Sequence, residues 1–150
     1  MTKLLALASF CFLAACGTNG SSMTIDDGPL TGLVYGQPWT FQAGGTDAFL
    51  SEGDDNFFAT FYASAFTCGS SEPSGPSLIV AVPKVAGSYP MSLMRNMTFV
   101  MGSDNKVAID GLVNVDSVTA TTVTGGLVGT FDDQNTVSGH FTLTVCPSTN

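Results

Sequence analysis

Positive charge is scarce in this chain. Four Lys and Arg stand against twelve Asp and Glu, with one His. Nucleic-acid binding through phosphate contacts needs a basic patch, and this composition cannot supply one. Anionic lipid head groups would also repel it. A long hydrophobic run is missing too. The longest N-terminal one covers residues 4–13, interrupted by Ser9. That is about ten residues, where a membrane-spanning helix needs roughly 20. A Gly-x-Ser-x-Gly nucleophile elbow is absent, which removes the commonest serine-hydrolase signature. The single Trp and the four Cys each have to be placed individually.

What is present begins with Lys3, the apolar run and Leu13-Ala14-Ala15-Cys16. A short positive segment, a short apolar segment and a small-residue ending fit a cleaved export signal. The ending closely resembles the lipobox of bacterial lipoproteins. That resemblance covers residues 1–16. It implies that residues 1–15 are a cleaved signal peptide, expected as a helix ahead of the mature fold, and that Cys16 becomes the acylated first residue. The other reading is an ordinary secretory signal with Cys16 a bystander. Two or more acyl chains anchor a protein stably where one is marginal. Gly17 follows the Cys instead of the Asp that resembles an inner-membrane retention signal, so the implied destination is the outer membrane of a two-membrane envelope. The implied partner is the lipid bilayer, reached through Cys16.

The mature chain would keep Lys84, Arg95 and Lys106 against all twelve acids. Of the cysteines, Cys11 leaves with the signal and Cys16 takes lipid, so Cys68 and Cys146 remain. An oxidising compartment favours a disulfide between them, closing a loop of about 78 residues. A metal pair or two free thiols are the alternatives.

Residues 16–28 (CGTNGSSMTIDDG) are small, polar and without periodicity, which reads as the lipidated Cys and a flexible tether. Residues 29–150 read as one domain. Strands are expected at Val34-Tyr35, at residues 39–43, 46–50, 57–66, 78–82, 97–101, 106–109 and 112–115, and on both sides of Asp132-Asp133-Gln134-Asn135. Gly44-Gly45, residues 52–56 and residues 87–90 read as turns. The Phe-rich run 57–66 carries aromatics on both parities, so it reads as a strand covered on both sides or bulged, with a helix competing. Around the acidic turn, alternating apolar residues (Val123, Leu127, Phe131; Phe141, Leu143, Val145) mark a hairpin. The expected fold is all-β: an antiparallel β-sandwich of roughly eight to ten strands, with a small β-barrel second. The whole layout also resembles small bacterial β-sandwich lipoproteins, a likeness that carries no site residues.

Candidate chemistry is thin. His140 with Ser138 two residues away is the one pair a Ser-His hydrolase could use, and a surface histidine is the plainer reading. Met91, Met94, Met97 and Met101 resemble the methionine clusters of copper-handling envelope proteins, and thioethers suit Cu(I). Gap-filling core methionine is the alternative. The acidic turns Asp54-Asp55-Asn56 and 132–135 could gather Ca²⁺ if the fold joined them, yet neither has calcium-loop spacing. Trp39, Tyr35, Tyr62 and Tyr89 could stack on a glycan or meet a protein partner, with a core role the alternative for Trp39. Asn19 and Asn96 lie in Asn-x-Ser/Thr triplets, which matter only in a eukaryotic secretory route.

The expectation is therefore a membrane-anchored envelope protein, non-catalytic, acting as a structural or binding module without a cofactor. A small-ligand or metal-binding envelope protein comes second and an enzyme third.

Overall fold

A computed structural model of the chain describes residues 23–147. The signal segment, Cys16 and the first part of the tether lie outside the described residues. The described chain is all-β, with eleven strands and no helix. They are β1 (Thr31–Val34), β2 (Gln37–Thr40), β3 (Ala43–Asp47), β4 (Asn56–Tyr62), β5 (Ser77–Pro83), β6 (Gly87–Pro90), β7 (Met97–Met101), β8 (Asp104–Ala108), β9 (Asp110–Val118), β10 (Thr122–Asp132) and β11 (Asn135–Thr144).

The strands form one sheet in the order β6-β9-β10-β11-β3-β4-β5-β7-β8, with β1 paired to β11 and β2 paired to β1. It curls strongly into a half-barrel. Two facing layers were expected, and they are instead two wings of one continuous sheet. The wings join at a single parallel register pair, Thr144 with Gly45, whereas the other strand pairings are antiparallel. Strand alternation cannot separate two sheets from one curled sheet, because both bury every second residue. The inward faces make one core that includes Phe61, Phe99, Leu78, Val113, Leu127 and Leu143. Phe61 sits edge-on to Phe141, 5.1 Å between ring centres, and so packs one wing against the other.

Local chemistry explains the best-defined hairpins. In β1–β2, Val34 pairs with Gln37, leaving Tyr35-Gly36 as a two-residue loop with φ of 52° and 73°. Two successive positive φ values match the twist of the strands, and Gly36 takes its value without a Cβ penalty. Tyr35 is held there by Asn135, whose Oδ1 accepts its amide at 2.9 Å. In β10–β11, Asp132 pairs with Asn135 around Asp133-Gln134. The Asp132 carboxylate accepts from Gln134 N (3.0 Å) and Asn135 Nδ2 (2.7 Å), closing the turn expected from the sequence.

Cys68 and Cys146 form a disulfide with Cα atoms 5.5 Å apart. It lies beside the joint between the wings. Cys146 N donates to Thr46 Oγ1 of β3 (3.0 Å), and a Cβ on Gly45 would come within 2.8 Å of Cys146 Sγ. Gly44-Gly45, read as a turn, lies inside β3 instead, where the missing side chains admit Leu143, Phe66 and the disulfide. Residues 87–90, also read as a turn, form edge strand β6 against β9. An edge tolerates the missing donor of Pro90.

Candidate binding face

The two wings differ on their outer surfaces. Over β10 and β11 the chain's own residues 23–27 cross part of the outer face, leaving His140, Thr142 and Thr144 exposed. Asp26 N donates to Ser138 Oγ at 2.9 Å, and Ile25 lies on Gly126, where a Cβ would come within 2.8 Å of its Cγ2. Met23 ends this strap in a hollow with Pro90, Met91, Ile109 and Leu112.

Over β4, β5, β7 and β8 the outer face is left open among the described residues. Register places Phe58 beside Ala81, Ile79 beside Thr98, and Thr98 beside Val107. These residues floor an open cleft of about 380 Å³, rimmed by Leu50 and Met94 and edged by the amides of Asn56, Asn96 and Asn105. Phe58 is 38% exposed and Val107 48%. The Phe-rich β4 is thus covered on one face and only partly on the other. Tyr62 at its far end is sheltered by Phe66, at 5.0 Å between ring centres, and its pairings with β3 and β5 run without a bulge.

Two loops raise apolar tips at the rim. In residues 48–55, Asp47 Oδ1 accepts Leu50 N (2.8 Å), and Ser51 Oγ accepts Phe58 N (2.9 Å). Lys84 Nζ donates to the carbonyls of Ser51 and Asp54 and lies 5.4 Å from the Phe57 ring centre. The loop is therefore fastened with Phe49 and Leu50 facing out, 82% and 51% exposed. In residues 91–96, Ser92 and Arg95 exchange backbone bonds (2.7 and 3.2 Å), which sets Leu93-Met94 at the tip of a tight turn. They are 78% and 88% exposed. Arg95 stacks on Tyr89 at 4.9 Å. Turn tips usually carry Gly, Asn, Asp or Ser, so an exposed Leu-Met pair there needs a reason outside the turn.

The sequence-derived candidates are dispersed. Met91 and Met97 are buried and meet over Gly129, filling space that the glycine leaves. Met94 faces solvent at the cleft, and Met101 is half-buried at the far end of β7. Trp39 is 3% exposed, and its Nε1 donates to Pro76 O at 3.0 Å, so it packs in the core and offers no stacking surface. Tyr62 is buried and Tyr89 carries Arg95. Tyr35 lies under the Lys106 ammonium (5.3 Å), and burial, helped by Asp104, pushes its phenol up.

His140 is exposed on β11, while Ser138 Oγ is occupied by Asp26. Each acidic turn has a carboxylate that is already engaged. The backbone amide and then the side chain of Asn56 hold Asp54 below the usual carboxylate value. Asn135, then Lys106 at 3.0 Å, do the same for Asp132. Among the described residues, no three His, Cys, Asp or Glu side chains gather as a metal site. Cys16 lies outside the described residues. What the sequence reading missed is the open face itself. Leu93-Met94 inside a turn was its one visible signal.

No protein-family model matches the chain, and no curated protein or solved structure is significantly similar to it.

Proposed function

We propose that this chain is an exported lipoprotein of the bacterial envelope, held at the membrane through acylated Cys16 and acting as a non-catalytic binding module. The observation that carries the binding role is the open apolar face over β4, β5, β7 and β8, where Phe58 and Val107 stay exposed beneath Leu50 and Met94. Its lining mixes apolar groups with amides, a surface suited to contact and poor in paired acids and bases. The export reading draws support from the Cys68–Cys146 bridge, since such bonds persist in oxidising compartments. The lipobox carries the anchor and points to the outer membrane.

The test is metabolic labelling with an alkyne analogue of palmitate, comparing wild type with Cys16→Ala. Label on the wild type and none on the variant is the expected result. Equal labelling, or none on either, contradicts the anchor.

A further inference from the structure

We infer that the loop end formed by residues 48–51 and 92–95 is seated in the interface of the bilayer that holds the anchor. The inference rests on the lipid-anchor reading and names the occupant of the exposed apolar tips.

The argument starts from where the chain enters the domain. Only seven residue steps separate Cys16 from Met23, a reach of about 25 Å at full extension. Met23 sits beside Pro90 and Met91, at the base of the turn that raises Leu93 and Met94, and beside Ile109, itself 48% exposed. The anchor therefore leaves the domain on the side where the apolar tips stand. Five of the nine large apolar side chains exposed among the described residues lie in the loops there: Phe49, Leu50, Val85, Leu93 and Met94. Lys84, Val85 and Arg95 share one hollow with Asp54 and Asp55, which joins the three loops into one surface.

Two of the three cations among the described residues, Lys84 and Arg95, stand behind the tips and stack on Phe57 and Tyr89. Apolar tips backed by cations with apolar stems suit a water–lipid boundary. The acids on the same loops, Glu52, Asp54 and Asp55, oppose anionic head groups. Seating therefore relies on apolar insertion and favours zwitterionic lipid.

The test uses mature acylated protein, its intact mass confirming the acyl chains, inserted in phosphatidylcholine vesicles with acyl-brominated lipid as quencher. Two variants report position: Met94→Trp at the tip and Ser103→Trp in the exposed β7–β8 turn, at the end of the sheet opposite both loops. The five residues of β7 separate them by roughly 16 Å. Trp39 is buried in the core and gives a constant background. Strong quenching of the 94 variant, none of the 103 variant, and weaker quenching when anionic lipid is added are expected. Equal quenching of both, or none at 94, overturns the inference while leaving the anchor intact. A blue shift at 94 that grows with protein concentration without quenching assigns the loops to a second copy and also overturns it. Absence of acyl mass removes the anchor and the inference together.

Discussion

Removing the disulfide should loosen the joint between the wings more than anything else in the fold. Cys68 and Cys146 are 78 residues apart. In the chain-entropy treatment, a loop of that size restricts the unfolded chain by about 4.5 kcal/mol at 25 °C. The native side adds little redundancy at this point, because β11 meets β3 through one register pair, Thr144 with Gly45. The perturbation is the double variant Cys68→Ala/Cys146→Ala, which avoids a lone thiol. Urea unfolding followed by far-UV circular dichroism is the assay. With a slope of roughly 2 kcal/mol per molar for a domain of this size, the midpoint should fall by about 2 M. Hydrogen exchange should locate the early opening at the amide of Cys146 and along β3. A midpoint shift under about 0.5 M would refute the reasoning, since the joint would then hold without its cross-link.

Other outcomes follow from single side chains. Trp39→Phe loses the bond to Pro76 and part of a filled volume, and should cost about 1–3 kcal/mol in the same denaturation assay. Gly129→Ala places a methyl against Met97 and Met91 in the core, and overpacking should cost about 1–3 kcal/mol. Shortening the neighbour with Met97→Val in the same chain should recover part of that loss, read as a coupling in a double-mutant cycle. Asp54 and Asp132 ionise below the ordinary 3.8 when folded. Their contribution is therefore full above that value and lost as pH falls through their lowered values. The gap in urea midpoint between wild type and Asp132→Asn should be constant from pH 8 to 5 and narrow as pH falls below 3.8.

Much of the fold was written in local patterns. Strand β7 coincides with the Thr-Phe-Val run bounded by Met97 and Met101, and the β10–β11 hairpin follows its alternation and its Asp-Asn turn. The Cys68–Cys146 bridge followed from elimination. Where the reading failed, long-range packing overrode local chemistry. Gly44-Gly45 belongs to a strand because Leu143 and Cys146 need the space. Phe131 shares the core parity of Val123 and Leu127, yet a bulge between Thr130 and Asp132 turns it out, 49% exposed. The curl of the sheet depends on which strand meets β3, and alternation does not encode that. The open face was illegible for the same reason: Phe58, Ile79, Thr98 and Val107 converge only through register. The methionines show the limit of spacing, since buried Met91 and exposed Met94 are three residues apart on one turn.

The central claim, a lipid-anchored module of an oxidising envelope compartment, is tested most directly by the intact mass of the chain extracted from its native membranes. The account predicts a chain that begins at Cys16, carries the mass of its acyl groups and lacks two hydrogens for the Cys68–Cys146 bond. A chain without acyl mass, or one that keeps its first fifteen residues, would contradict it.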